Sequence, residues 1–219
     1  MTDEEQPACC FDEWAASNAK RARTKETAAP VTMALLDALL DAGLEDRTVL
    51  DVGCGTGDLA LATLAHGARS ATGFDLGSGA VANARALALE RGLAERATFS
   101  VGDGSQVPLP RSDVVVLNRV VCCYPSVDAL LANTLGVAGS VFAITAPVDR
   151  GLVGLYNRVF GWLGNRWYAL RDKKFRGFRV FIHGVDGIDE RIVAAGFRPT
   201  VRQRRRLVWD LRVYERASR

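Results

Sequence analysis

Residues 49–57 read Val-Leu-Asp-Val-Gly-Cys-Gly-Thr-Gly, and this stretch decides the fold class. Val49, Leu50 and Val52 form an apolar run that is typical of a parallel strand buried on both faces. The glycines supply the backbone freedom for a left-handed turn and for close approach of a bound nucleotide. An apolar helix is predicted directly after the turn, with Asp58 as its N-cap. The stretch therefore predicts the strand, ligand-binding turn and helix that begin an α/β fold.

The spacing of the glycines separates two classes of cofactor. A dinucleotide fold has the pattern Gly-x-Gly-x-x-Gly and holds a pyrophosphate at the helix N-terminus. Here Gly57 comes one position too early, and Asp58 occupies the place of the last glycine. A carboxylate there would face the pyrophosphate, so a cofactor without phosphates fits better. A glycine turn that binds no ligand is the remaining alternative.

An acidic residue ends the next predicted strand. Asp75 ends the strand at 70–75 and lies 24 residues after Asp51. An acid at this distance can accept hydrogen bonds from both ribose hydroxyls of an adenosine. Two further strands are predicted at 98–103 and 113–118, and the second of them is continuously apolar.

These motifs resemble those of the class I S-adenosylmethionine (SAM) dependent methyltransferases. The resemblance implies a Rossmann-like α/β fold, with a seven-stranded, mostly parallel sheet, an antiparallel terminal strand and helices on both faces. It implies SAM as cofactor, S-adenosylhomocysteine as product and no metal. It also implies that Asp103 contacts the adenine amino group. The predicted cofactor site consists of Asp51, Gly53, Cys54, Gly55, Gly57, Asp75, Leu76, Gly102, Asp103, Gly104 and Asn118.

The rest of the chain alternates between helical and extended patterns. We expect one domain over residues 1–219, with an N-terminal lid arm at 1–30 and a substrate-shaping insertion at 148–183. Helices are predicted at 31–43, 77–92, 126–135 and 187–195, and further strands at 140–145, 200–206 and 208–215.

Composition limits the class of protein. The chain has 219 residues, of which 48% are hydrophobic and 24% are charged, as in an ordinary globular domain. Its start is acidic and no window of about 18 apolar residues occurs, so we expect a cytoplasmic protein without a membrane span. The net charge of +3 is too small to indicate a nucleic-acid partner.

The five cysteines form no Cys-x-x-Cys pair. Their arrangement as Cys9-Cys10, Cys54 and Cys122-Cys123 argues against a disulfide framework and against a zinc site. Buried reduced thiols are the simpler interpretation. A thiolate site for arsenite, formed by the two vicinal pairs, is the alternative.

Two segments lie outside the alternating scheme. In the arm, Phe11 and Trp14 share one helix face and are predicted to cover the SAM site as a lid, although its basic run is also typical of a solvated face. The insertion contains eight of the 17 aromatic residues. They are predicted to form a small core or an apolar pocket, and its interleaved cations to bind an anion or to face solvent.

A narrower resemblance rests on short motifs. Residues 120–125, 11–14, 175–183 and the terminal strands are similar to magnesium-protoporphyrin IX O-methyltransferases, which esterify a propionate of a tetrapyrrole. Those enzymes commonly carry His before the Tyr-Pro pair, where this chain has Cys123. We therefore expect a divergent relative that O-methylates another small molecule, an apolar or aromatic metabolite.

The acceptor is predicted to lie at the end of the fourth strand and beside the insertion. Methyl transfer is an in-line displacement in which orientation supplies most of the acceleration. A carboxylate acceptor needs no base, whereas a phenol or protonated amine needs one, and the predicted candidates are Tyr124 and His183. The predicted substrate contacts are Phe11, Trp14, Arg119, Cys123, Tyr124, Tyr156 and His183.

Two alternatives remain open. A nucleic-acid methyltransferase is supported by the basic arm and by the arginines at 202–206, but Asn118-Arg119-Val120-Val121 replaces the Asn/Asp-Pro-Pro-aromatic signature of amino-directed DNA methylases. The other alternative is a regulator that binds SAM without catalysis.

Overall fold

The computed structural model describes residues 29–171, 179–205 and 207–217. These residues form one sheet with helices packed against it. The strands are β1 Thr48–Val52, β2 Ser70–Asp75, β3 Ala97–Val101, β4 Ser112–Asn118, β5 Ala138–Pro147, β6 Phe197–Arg205 and β7 Trp209–Arg216. The α-helices are α1 Pro30–Asp41, α2 Asp58–Ala65, α3 Ser78–Glu90, α4 Asp128–Val137, α5 Gly151–Arg171 and α6 Val185–Ala194. Short 3₁₀ turns occur at Ala94–Arg96 and Val121–Cys123.

The strand order is β3-β2-β1-β4-β5-β7-β6. Strands β1 to β5 pair in parallel, and β7 runs antiparallel to both of its neighbours. The chain moves outward from β1 through β2 to β3 and then returns to the other side of β1 with β4. This reversal places a ligand crevice at the carboxyl ends of β1 and β4. The predicted fold class is confirmed.

Successive residues of the strands contribute to opposite hydrophobic cores, because side chains alternate across a sheet. Val49, Val114 and Val116 pack with α1, α2 and α3 in one core. Leu50 and Val115 pack with α4 and α6 in the other core. Both faces of the sheet are therefore covered, which explains why β1 and β4 have continuous apolar sequences rather than alternating ones.

The predicted cap of α2 is wrong by one residue. The helix begins at Asp58 itself, and Gly57 is the N-cap, with a φ of +79° and no side-chain hydrogen bond at the cap. The left-handed conformation of Gly57 completes the turn, so the Asp58 backbone is already helical. Its carboxylate still lies in the first turn, where a negative charge is favourable.

The insertion contains the longest helix that the structure describes, α5, with 21 residues. Tyr156, Phe160, Trp162 and Trp167 are all exposed, so these four rings do not form the small core that was one of the two predictions for the insertion. In the described ranges, no helix combines the length and apolar character needed to cross a bilayer.

Candidate cofactor and acceptor site

The predicted cofactor residues meet at one edge of the sheet. The carboxyl ends of β3, β2, β1 and β4 are neighbours there, since these strands are parallel and adjacent. Asp75 ends β2, Asn118 ends β4, and the glycine turn follows β1. Residues that lie far apart in sequence are thereby brought to a single crevice.

The three glycines of the turn differ in what surrounds them. All have positive φ, at +76° for Gly53, +54° for Gly55 and +79° for Gly57. A Cβ on Gly53 would lie 2.3 Å from Val120 Cγ2, and one on Gly57 would lie 2.9 Å from Phe99 Cζ. A Cβ on Gly55 would meet no atom of the protein within 4 Å. Internal packing therefore requires the outer two glycines, while Gly55 borders open space at the crevice.

Asp75 is held by backbone N–H groups from two turns, the glycine turn after β1 and the turn that follows β2. Its Oδ2 accepts a hydrogen bond from the Gly55 N–H at 2.8 Å, and its Oδ1 accepts one from the Gly77 N–H at 2.9 Å. The carboxylate is half-buried at the end of β2. A rigid acceptor in this position fits the ribose diol of an adenosine cofactor, which is the role that the sequence predicted.

Asp51 is a buried acid with an unsatisfied oxygen. Its exposed fraction is 1%, and Oδ1 has no hydrogen-bond partner. Burial, together with the nearby charge of Asp75, raises the pKa of the Asp51 carboxyl to about 7. The neighbouring Cys54 thiol is also buried, and burial raises its pKa. Two acids beside the open crevice at Gly55 fit a ligand that carries positive charge, such as the sulfonium and ammonium groups of SAM.

Asp103 lies in a polar network with Tyr124. Its Oδ1 accepts hydrogen bonds from the Tyr124 hydroxyl at 2.8 Å and from the Ser105 N–H at 2.8 Å. Its Oδ2 accepts one from the Gln106 amide at 3.2 Å. Burial and the Asp103 charge raise the pKa of Tyr124 above its ordinary value. The phenol is therefore held neutral, which does not favour the predicted role of Tyr124 as a base.

Asn118 is oriented by two threonines. It donates from Nδ2 to Thr32 Oγ1 at 3.0 Å, and its Oδ1 accepts a hydrogen bond from Thr145 Oγ1 at 2.9 Å. Thr145 Oγ1 in turn accepts one from the Arg119 N–H at 2.8 Å. Sequence reasoning missed Thr32 and Thr145, because they lie on α1 and β5 and no motif connects them to the end of β4.

Arg119 adopts a left-handed backbone conformation, with a φ of +61°. Its guanidinium lies over the Trp209 ring, 5.4 Å from the centroid, and its buried Nε has no hydrogen-bond partner. Strained conformations of non-glycine residues cluster at functional sites. The predicted acceptor contact at Arg119 therefore coincides with an unsatisfied donor beside the crevice.

Two hydrogen bonds join the end of the insertion, at Phe181 and His183, to the loop after β4. Phe181 N–H donates to the Cys122 carbonyl at 2.8 Å, and His183 Nε2 lies 2.8 Å from the Tyr124 carbonyl. Because a carbonyl only accepts, Nε2 carries the proton and Nδ1 of the neutral ring has a free lone pair. The end of the insertion is thus held against the predicted acceptor loop.

The remaining predicted contacts differ in their positions. Cys123 is half-buried, and its Sγ lies 3.9 Å from Cys122 Sγ. Tyr156 lies on α5 and packs on Phe160, with ring centroids 4.2 Å apart. Phe11 and Trp14 lie outside the described residues, as do Cys9 and Cys10.

Among the residues that are described, no group of three or more His, Cys, Asp or Glu side chains is arranged to hold a metal ion.

Replacing Asp75 tests the ribose contact. Asp75→Asn keeps the size of the side chain but replaces one acceptor oxygen with an amide that cannot accept from the Gly55 or Gly77 N–H. We expect SAM to bind about tenfold more weakly, as for the loss of a hydrogen bond to a charged group. Calorimetric titration with SAM measures this change, and an unaltered Kd would remove Asp75 from the site.

Residues 49–138 match the family model described as Methyltransferase domain. The match begins at β1 and ends at the start of β5, so it contains the glycine turn, Asp75 and Asp103. Together with the sheet order, the match supports the class predicted from the sequence, that of the class I SAM-dependent methyltransferases.

One of the solved structures with a similar fold belongs to the class of enzyme that the short motifs resemble. Magnesium protoporphyrin IX methyltransferase from Synechocystis PCC 6803, with bound S-adenosylhomocysteine, superposes with a TM-score of 0.73 at 20% identity, covering 94% of this chain and 96% of that one. An O-methyltransferase family 2 protein from Planctomyces limnophilus, in complex with apigenin, gives 0.71 at 18% identity and covers 95% and 62%. At such identities these likenesses show a shared fold.

A curated relative has higher identity over a shorter length. Ribosomal protein L11 methyltransferase from Pasteurella multocida is 39% identical over 116 residues, which cover 50% of this chain and 39% of the relative. The chain thus spans about two fifths of that relative's length.

Proposed function

We propose that this protein transfers the methyl group of SAM to an oxygen of a small apolar or aromatic molecule. The observation that carries the proposal is the junction at His183, where the end of the insertion is hydrogen-bonded to the loop after β4. In this arrangement the His183 imidazole, the aromatic ring of Phe181 and the Arg119 guanidinium would line the acceptor site, at the edge of the sheet where the predicted cofactor residues lie. Such a site combines an apolar wall with a few polar groups, as small-molecule sites do.

SAM supplies an electrophilic methyl group on a sulfonium when it is bound. Asp75 would hold the ribose, Gly55 would allow the backbone to approach the cofactor, and Asp51 would offset its positive charge. Asn118, fixed by Thr32 and Thr145, would position the groups at the end of β4. Because the reaction needs an in-line geometry, this rigid arrangement is the main contribution of the protein to the rate.

His183 is the base in this proposal. Its Nε2 is occupied by the Tyr124 carbonyl, so the free lone pair on Nδ1 is the atom that would accept the acceptor's proton. The ring stacks beside Phe181, with centroids 6.2 Å apart. A histidine whose Nε2 is held by a backbone carbonyl has its Nδ1 directed for proton transfer.

The chain offers a matched control for His183, since its only other histidine is His66. We expect His183→Gln to lower kcat about 100-fold for a phenolic acceptor. Glutamine can still donate to the Tyr124 carbonyl, so SAM affinity should not change. His66 is exposed and bonds to the Ala62 carbonyl, so His66→Gln should behave as the wild type. Equal turnover in the two variants would exclude His183 as the base.

The acceptor class is tested by methyl transfer from labelled SAM to four kinds of acceptor. These are phenolic and carboxylic small molecules, ribosomal protein, transfer RNA and duplex DNA. A small-molecule product supports the proposal, whereas label in ribosomal protein would favour the activity that the L11 relative's name describes. In the nucleic-acid alternative the arginines at 202–206 would bind phosphates, but Arg202 is already paired with Asp189 at 2.7 Å. SAM binding without any transfer would favour a regulator.

A further inference from the structure

Helix α5 presents its apolar side chains to solvent. Of the fourteen large apolar side chains that are exposed in the described part of the chain, nine lie on this helix. The exposed fraction reaches 86% at Leu152 and 75% at Leu170, near its two ends. The nine residues are Leu152, Leu155, Tyr156, Val159, Phe160, Trp162, Leu163, Trp167 and Leu170. Most are spaced three or four apart, so they form one stripe along the helix, which we call the outer face. A contiguous patch of this kind indicates an interaction site.

The opposite side of α5 is polar and small, the reverse of an ordinary surface helix. Asn157 donates from Nδ2 to the Val148 carbonyl at 2.8 Å. Asn165 donates to the Val180 carbonyl at 3.0 Å and accepts from the Val180 N–H at 2.8 Å. These amide contacts fix which side of the helix faces the domain. Because the polar side of the helix is anchored to the domain, its apolar side chains are left on the outer face.

Charge distinguishes between the partners that could cover the outer face. The helix contains Arg158 and Arg166 within its length and Arg171 at its end, and it has no Asp or Glu. From Arg150 to Arg179 there are eight basic residues and one acidic residue, a net +7 in a chain whose total is +3. A second copy would bring like charges together without a carboxylate on the helix to pair with them. The partner must therefore be both apolar and anionic.

We propose that the outer face of α5 docks on an anionic lipid bilayer, with the helix lying in the plane of the interface. Leucine and tryptophan side chains would enter the boundary between headgroups and acyl chains, and the arginines would contact lipid phosphates. Arg166 lies over the Trp162 ring, 5.4 Å from its centroid, a pairing of cation and aromatic ring that suits this boundary. Five of the nine side chains are aliphatic, and these do not stack on bases, so a nucleic acid fits less well.

The docked surface would lie beside the acceptor site. The helix begins just after β5, whose carboxyl end is at the same edge of the sheet as the end of β4. Near its other end, Asn165 holds Val180, which precedes the Phe181 and His183 contacts with the acceptor loop. An acceptor dissolved in the bilayer could therefore reach the acceptor site over a short distance. The docking itself does not depend on which acceptor is used.

The test uses the 219-residue protein and vesicles in a flotation assay. We expect binding to phosphatidylcholine vesicles that contain about 30% phosphatidylglycerol, and little binding to phosphatidylcholine alone. Tryptophan emission should shift to shorter wavelength on binding, and added salt should weaken it. Leu163→Glu, near the middle of the outer face, should reduce binding at least about tenfold.

Leu89→Glu is the matched control, because Leu89 is a 70% exposed leucine on α3, outside the stripe. It should bind vesicles as the wild type does, and both variants should keep the wild-type circular dichroism spectrum. Equal binding by the two variants would overturn the proposal. So would a dimer in sedimentation analysis that Leu163→Glu abolishes while vesicles have no effect, since a second copy would then cover the face. Retention by RNA but not by vesicles would also overturn it.

Discussion

Gly55→Val is expected to abolish measurable SAM binding while the protein remains folded. The Cβ at this position would project into the open space of the crevice, where no protein atom lies within 4 Å. A branched side chain would fill the volume that the cofactor needs, and we expect SAM affinity to fall at least about 100-fold. The strain of a valine at a φ of +54° should lower the free energy of unfolding by about 1–2 kcal/mol.

The other glycines of the turn serve as controls with the opposite signature. Gly53→Val and Gly57→Val place their side chains against Val120 and Phe99, so they should lower stability by about 3 kcal/mol or more. Calorimetric titration measures binding, and denaturant unfolding measures stability. If Gly55→Val bound SAM normally, or if it unfolded as readily as Gly57→Val, Gly55 would not be the point of closest approach.

The fold was predictable because its signals are local. Continuous apolar runs at β1 and β4, and glycines at the ends of the helices, report burial and chain reversal directly in the sequence. The position of the crevice was also predictable, because the carboxyl ends of parallel strands meet at one edge of the sheet. The predicted N-cap of α2 was wrong because the start of the helix depends on the conformation of Gly57, which its neighbours in sequence do not specify.

The acceptor side was less predictable, because its residues are connected through tertiary contacts. Thr32 and Thr145 orient Asn118 across 86 and 27 residues of sequence. The hydrogen bond from His183 to the Tyr124 carbonyl spans 59 residues, and it involves a backbone atom that no motif encodes. The aromatic residues of α5 have the composition of a core, but the asparagines that anchor the helix direct them outward. Composition cannot reveal this orientation.

Asp51→Asn is expected to change stability and SAM affinity in opposite directions. The pKa of Asp51 rises from 3.8 to about 7 in the folded protein. Between these pH values the folded state keeps a proton that the unfolded chain has released, so the stabilisation that this proton gives is complete below pH 3.8 and is lost as pH rises to about 7. At higher pH the native state contains a buried charge whose neighbours Asp75 and Asp58 are also acidic.

Asparagine removes that charge with almost no change in shape. At pH 8 we expect the free energy of unfolding without cofactor to increase by about 3–4 kcal/mol, the equivalent of a pKa shift of roughly two to three units. At pH 4 the two proteins should differ little, because the carboxyl is then largely protonated in the folded state. Denaturant unfolding across this range measures both values.

SAM binding should respond in the other direction, because a cationic ligand favours the ionised carboxylate. Below pH 7 the wild type must release a proton from Asp51 when SAM binds, so its affinity should rise with pH up to about tenfold per unit. Asp51→Asn has no such proton and should bind about tenfold or more weakly at pH 8. Titration calorimetry at pH 6 in buffers of different ionisation enthalpy counts the released protons. An identical count for both proteins would show that Asp51 does not respond to the cofactor's charge.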